Sequence, residues 1–347
     1  DGVASDSLAL TITVTDANDN APEWADADDA IAESVAEGTT AVGTYAATDA
    51  DTLTDATSGS CTDGGTDAAL FTPSVASATE CTIVFAAAED YESPDDNGGD
   101  NIYNVNLIVN DGVASDSLAL TITITDTNDN APEWADADDA IAVSVAEGTT
   151  AVGTYAATDA DTLTDATTGG CTDGGDDAAD FTPSVASATQ CTIVFSSTTD
   201  FETPADTGTD NVYNVNLIIN DGQASDTLAL TITVVNTNDE APEWDDADDA
   251  VAASVNEGVT TVGSYDVTDD DTTDAFNDIS TCTVTGNDAA DFTPAKVDED
   301  TCSIVFAATP DHENAADTGG DNIYNVNMIA TDAGGNADTL VFTITIT

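Results

Sequence analysis

"SLALTITITDTNDNAPEW", residues 117–134, begins as an alternating apolar run and ends in carboxylates, amides and a proline. Its first half sets Leu118, Leu120, Ile122 and Ile124 on one face and Ala119, Thr121 and Thr123 on the other. That is the pattern of a strand with one side in a core. The second half ends it, because Pro132 has no N–H to give to a ladder. The polar part recurs as Asp16 to Trp24 and, altered to "NTNDEAPEW", as Asn236 to Trp244, with starts 110 residues apart. A period of that length means tandem domains.

Three repeats follow, at residues 21–130, 131–240 and 241–347. Residues 1–20 match 111–130 at 18 of 20 positions, so they are expected to be the last strand and linker of a preceding repeat. The chain is then a piece of a longer array. Within a repeat, "NIYNVNLIVN" (101–110) and "ECTIVF" (80–85) alternate in the same way, and "NDG" (110–112) supplies a tight turn. About seven such strands per repeat, with no sustained helical rhythm, predict an all-β fold of tandem two-sheet Greek-key sandwiches.

The charge balance narrows the function. The 347 residues are 41% hydrophobic, yet 69 acidic side chains face one lysine (Lys296), one histidine (His312) and no arginine, for a net charge of −68. Nucleic acid and anionic lipid are excluded as partners, since binding either needs Lys and Arg. Self-repulsion on this scale calls for a saline medium, bound divalent ions, or both. No apolar run approaches the ~20 residues of a membrane helix. "DADDA" at 26–30, with its copies, reads as a hydrated acidic face. The cysteines form one pair per repeat, each 20 residues apart: Cys61 and Cys81, Cys171 and Cys191, Cys282 and Cys302. Without a CxxC or Cys/His cluster, this spacing predicts one disulfide per repeat in preference to buried thiols, and an oxidising, extracytoplasmic setting.

Acidic clusters recur at fixed offsets. The first repeat has Glu37, Asp49, Asp51, Asp90, Glu92 and Asp111; the second has Glu147, Asp159, Asp161, Asp200, Glu202 and Asp221; the third has Glu257, Asp269, Asp271, Asp311, Glu313 and Asp332. Oxygen ligands without cationic neighbours suit Ca²⁺, which takes about 6–8 of them. An EF-hand is excluded: counting from Asp126, the glycine position holds Ala131 and the glutamate position Ala137.

Together the linker DxNDNxP, the upstream glutamate, DxE, DxD and a late xDxG resemble the calcium signature of cadherin repeats, and "DFETPADTGTDNVYNVNLIINDG" (200–222) is similar to bacterial cadherin-like repeats. The resemblance implies an end-to-end rod stiffened by about three Ca²⁺ per complete junction. By motif, one junction would use Glu37, Asp90 and Glu92 from above, Asp126, Asn128, Asp129 and the Asn130 carbonyl from the linker, and Asp159, Asp161 and Asp221 from below. The next would use Glu147, Asp200, Glu202, Asn236, Asn238, Asp239, Glu240, Asp269, Asp271 and Asp332. There Asn236 and Glu240 depart from the pattern, which predicts weaker binding of one ion. Asp16, Asn18, Asp19 and Asn20, with Asp49, Asp51 and Asp111, form a half-site. Glu257, Asp311 and Glu313 form the opposite orphan.

Catalysis finds no support: "HENAA" at 312–316 is not HExxH, and the carboxylate pairs sit where a linker explains them. The expected function is a calcium-stiffened, cell-surface or extracellular adhesin rod. Its partners would be neighbouring repeats, other copies of itself, or a surface glycan or protein. The alternative is a subunit of an extracellular fibre or sheath.

Overall fold

A computed structural model describes residues 2, 5–51, 60–161, 167–246, 249–271 and 279–347. Two of the five residues in the third "DADDA" copy, at 247 and 248, and residues 1, 3 and 4 of the expected leading strand lie outside the described residues. The chain divides into two compact units, one of residues 1–132 with 159–165 and one of 133–158 with 166–347.

The first sandwich contains β1 (Glu23–Trp24), β2 (Ala30–Ala36), β3 (Ala41–Thr48), β4 (Ser60–Gly64), β5 (Phe71–Ser77), β6 (Glu80–Phe85), β7 (Ile102–Asn110) and β8 (Ser115–Thr125). The second contains β9 (Glu133–Trp134), β10 (Ala140–Ala146), β11 (Ala151–Thr158), β12 (Gly170–Gly174), β13 (Phe181–Ser187), β14 (Gln190–Phe195), β15 (Val212–Asn220) and β16 (Ser225–Val235). The third contains β17 (Glu243–Trp244), β18 (Ala250–Val255), β19 (Thr261–Thr268), β20 (Thr281–Thr285), β21 (Phe292–Lys296), β22 (Thr301–Phe306), β23 (Ile323–Thr331) and β24 (Ala337–Ile346). Each sandwich pairs two four-stranded sheets, ordered β2-β8-β7-β4 and β1-β3-β6-β5 in the first and likewise in the others. The all-β tandem architecture is as expected. Helical turns among the described residues are three-residue 3₁₀ segments.

One pairing in each sandwich is parallel where the others are antiparallel. β2 runs parallel to β8, with Ala32 opposite Thr121, and the same holds for β10 with β16 and β18 with β24. Alternation fixes which face is buried and leaves strand direction open.

The cores follow the alternation. Leu118, Leu120, Ile122 and Ile124 are all buried, as are Tyr103, Val105, Leu107 and Val109 on the adjacent strand. Each such side chain contributes about 1.5–3 kcal/mol of transfer free energy. Phe85 meets Tyr103 edge-on at 5.2 Å, with counterparts in Phe195–Tyr213 and Phe306–Tyr324 at 5.1 Å. Trp24, Trp134 and Trp244 are packed into the cores. Their backbone N–H groups donate to Asp116, Asp226 and Asp338 from the last strand of each sandwich. Gly43 lets the Tyr45 ring fold back over the β3 bulge, where a Cβ would stand 2.6 Å from the phenol oxygen.

Cys61–Cys81, Cys171–Cys191 and Cys282–Cys302 are disulfides, each linking one sheet of a sandwich to the other. Residues 5–15 form no ladder, and Leu8, Leu10, Ile12 and Val14 are exposed. A lone strand without a neighbouring sheet has no partner for its backbone groups.

Candidate metal centre

Glu37 leaves the end of β2 and turns inward. Its Oε2 accepts the Tyr91 N–H at 2.8 Å, and its Oε1 accepts the Thr127 N–H at 2.6 Å and hydroxyl at 2.9 Å. Burial pushes this carboxyl up, but the N–H groups of Tyr91 and Thr127 outweigh it and hold the pKa below the ordinary value. One glutamate thereby ties the DxE loop to the linker.

Glu92, two residues after Asp90, is treated differently. Asn130 Nδ2 reaches its Oε2 at 3.3 Å, while Oε1 is buried with no hydrogen-bond partner. Burial, then the charges of Glu37, Asp126 and Asp161, push its pKa up to about 7. Carboxylate oxygens of Glu37, Glu92 and Asp126 lie within 4.8 Å of one another, and so do those of Glu92, Asp129 and Asp161. Glu92 is common to both triads. Asp90 Oδ1 caps its own loop through the N–H groups of Glu92 and Ser93, and its charge helps raise the Asp129 carboxyl, after burial and the charges of Glu37 and Asp161.

Asp159 and Asp161 belong to the first compact unit although β11 delivers them. Asp159 Oδ1 accepts the Asp161 N–H at 3.2 Å. Asp161 takes the Asn130 N–H on Oδ2 at 2.9 Å and its side-chain amide on Oδ1 at 2.8 Å. That amide also donates to Asp129. The Asn130 side chain therefore bridges three carboxylates, whereas the sequence pattern assigned it a carbonyl alone.

The first linker repeats the arrangement. Asp51 accepts the N–H groups of Asn20 and Asp19 and the Asn20 amide, which hold its pKa down. Asn18 donates to the Asp111 carbonyl. Asn18 Oδ1, Asp49 Oδ2 and Asp111 Oδ2 are buried without a hydrogen-bond partner. Asp111 Oδ1 caps the β7–β8 turn through the Ala114 and Val113 N–H groups. Asp16 is exposed.

In the second unit Glu147 copies Glu37, held by the Phe201 N–H and by the N–H and hydroxyl of Thr237. Oxygens of Glu147, Glu202 and Asp239 lie within 4.8 Å of one another. Burial, then the charges of Glu147 and Asp271, push the Glu202 pKa up to about 7. Asn236 Nδ2 donates to Glu202 Oε1 at 3.1 Å, so the replaced aspartate becomes a hydrogen-bond donor. Asp200 caps its own loop through the Thr203 N–H.

Asp271 has 0% exposure and neither carboxylate oxygen has a hydrogen-bond partner. Burial and the neighbouring Asp269 push its pKa up to about 6. Asp269 itself has a buried, unpartnered Oδ2. Asp332 is capped by Gly335 and Asn336, and Asn336 reaches Asn238 Oδ1 at 3.2 Å. Asp221 caps the β15–β16 turn of the second sandwich through the Gln223 and Ala224 N–H groups. Glu240 is exposed, with its pKa raised by burial and by the charge of Asp239. Glu257, Asp311 and Glu313 also converge within 4.8 Å, all exposed.

Two supporting residue types escaped the sequence reading. Thr127 and Thr237 anchor the buried glutamates, where the first linker has Ala17. Asn101, Asn211 and Asn322 donate from their side chains to the carbonyls of Tyr91, Phe201 and His312, the middle residues of the three DxE loops, at 2.8–2.9 Å. Each has φ of +61° to +63°, a left-handed conformation that asparagine tolerates. The recurring "DN" before each β7-type strand was the available signal.

A buried carboxylate without a donor is costly unless a cation or a proton joins it. Asp271, Glu92 Oε1 and Asp49 Oδ2 are such groups, among donors that are all oxygen. That donor set fits Ca²⁺ and offers no soft ligand for zinc or copper.

No protein-family model and no curated protein matches the sequence. Solved structures do. The protocadherin gammaB4 extracellular domain aligns over 96% of this chain and 50% of its own, at 21% identity and a TM-score of 0.57. Mouse cadherin-23 EC22-24 aligns over 95% of this chain and 99% of its own, at 19% identity and a TM-score of 0.54. The human desmocollin-1 ectodomain covers 96% of this chain and 62% of its own, at 17% identity and a TM-score of 0.52. The chain thus spans half the length of the protocadherin gammaB4 structure it matches. At these identities the likeness concerns the fold, and it is consistent across these neighbours: the chain has a cadherin-like repeat fold.

Proposed function

We propose that the chain is part of an extracellular rod of cadherin-like repeats, stiffened by calcium at its linkers and acting in adhesion or as an adhesin stalk. The observation that carries this reading is Asp271, a carboxylate with no exposure and no hydrogen-bond partner amid other acids. Glu37, Glu92, Asp126, Asp129 and Asp161 would hold ions in the first unit, and Glu147, Glu202, Asp239, Asp269 and Asp271 in the second. Asn128, Asn238, Asp159, Asp221 and Asp332 would complete the sets, to about three ions per complete junction. Bound Ca²⁺ supplies positive charge and multidentate oxygen coordination. The chain's own residues set the stage: Glu37 and Glu147 fix the loops, and the Asn130 amide gathers Glu92, Asp129 and Asp161 by donating to all three.

Extracellular placement is supported by the neighbours, which are described as extracellular domains and ectodomains, and by the three disulfides. Among the described residues no helix is long and apolar enough to cross a membrane. Nothing in the acidic clusters calls for catalysis.

Calorimetric titration of the chelated protein with Ca²⁺, followed by solution scattering with and without chelator, tests the reading. Stoichiometric binding is expected, with a distribution of particle dimensions that broadens or shortens on chelation and faster proteolysis near Asn128. Absence of binding at millimolar calcium would overturn it. The second reading is a subunit of an extracellular fibre or sheath. Electron microscopy of purified protein distinguishes the two, since only a fibre subunit should polymerise.

A further inference from the structure

The outer face of the β2-β8-β7-β4 sheet carries no charge. Reading across it, Ala32 lies opposite Thr121 and Thr121 opposite Asn104, all exposed. The same row recurs as Ala142–Thr231–Asn214 and as Ala252–Thr343–Asn325. On all four strands of this sheet, in each sandwich, every outward position is neutral, in a chain of net charge −68. The opposite sheets are less strict: Glu80, Asp266 and Lys296 lie on their strands.

Strand propensity does not account for this. Asn and Asp are both depleted in strands, yet Asn occupies 104, 106, 214, 216, 325 and 327. What separates the two side chains, near-identical in shape, is charge.

We propose that this neutral face is where two copies of the chain pack against each other, sheet on sheet. Facing sheets sit about 10 Å apart. A carboxylate on this face would be taken out of water between the sheets, where ions screen little and a like charge across the gap leaves it unpaired. Two equally acidic chains can approach where neither presents charge, and Ala, Thr and Asn are short enough to permit contact. A basic partner would be drawn to the acidic linkers instead. A sugar platform needs exposed aromatic rings, and the aromatic residues of these strands (Tyr103, Tyr213, Tyr324 and Phe342) all point inward.

Four strands about 4.8 Å apart and up to about 30 Å long offer roughly 450 Å² per sandwich. That is below the ~800 Å² per partner of a standard stable interface. A single pair of sandwiches would associate weakly, so stable pairing needs more than one sandwich from each chain. The inference does not depend on bound metal.

Sedimentation equilibrium of the full chain in calcium, at low and high salt, provides the test. Wild-type protein should self-associate, more tightly as salt rises. The isosteric triple variant Asn104→Asp, Asn214→Asp, Asn325→Asp should weaken association by at least about tenfold in Kd. A control, Ser74→Asp, Ser184→Asp, Ala295→Asp, adds the same charge to exposed positions of the other sheets and should associate as wild type. Circular dichroism melts establish that both variants fold, and single-site versions replace any triple variant that does not. A monomeric wild type at every concentration, or equal behaviour of the two variants, would overturn the proposal.

Discussion

Asn130 Nδ2 donates to Glu92, Asp129 and Asp161, and Glu240, at the same place in the next linker, has no amide to donate. Asp161 takes that amide on Oδ1 and the Asn130 backbone N–H on Oδ2, whereas neither Asp271 oxygen has a hydrogen-bond partner. Replacing Glu240 with Asn should cap Asp271 and bring its carboxyl down from about 6, which NMR titration of the metal-free protein would detect. The raised carboxyls also set a pH dependence. Glu92 and Glu202, near 7 against an ordinary 4.5, bind protons more tightly when folded than when unfolded. Metal-free stability should therefore fall as pH rises from about 4.5 through 7. Calcium binds the deprotonated form, so the gap in melting temperature between calcium-loaded and chelated protein should widen over the same range. Calorimetry across that range checks it, and a constant gap would count against metal at these carboxylates. The acids themselves were legible because they recur at fixed offsets. Thr127 and Asn101 were not, since their partners Glu37 and Tyr91 are 90 and 10 residues away and nothing about an isolated Thr or Asn marks it.

At the scale of the strand, the alternation of "SLALTITIT" names the buried side chains of β8, because period two assigns faces unambiguously. The parallel partnership of β2 with β8 was not readable, as side-chain alternation is the same in either direction. Nor was the two-residue β1, too short to show a period. Ile122, fully buried in the middle of β8, should cost about 2–5 kcal/mol when changed to Ala. Denaturant unfolding of the metal-free protein would measure it, and Thr121→Ala on the outer face should cost far less.

For the molecule as a whole, hydrophobic content is ordinary and the net charge of −68 resides largely in loops and turns. Neutralising part of it should stabilise every sandwich that contributes to a linker. Calcium at about a hundred times its dissociation constant would add about 2.7 kcal/mol per independent site, seen as a melting temperature that rises with calcium and returns on chelation. Magnesium, with its stricter octahedral demand, should give less.

The sheet-to-sheet cystines have a mechanical consequence. In the proposed role of a stalk the chain would be pulled, and a repeat that unravels would lengthen by its freed contour. Each cystine closes a loop of 20 residues that tension cannot pay out. At roughly 3.4 Å per residue that withholds about 70 Å per repeat. Stretched by force, the oxidised chain would give way in shorter steps than the reduced one.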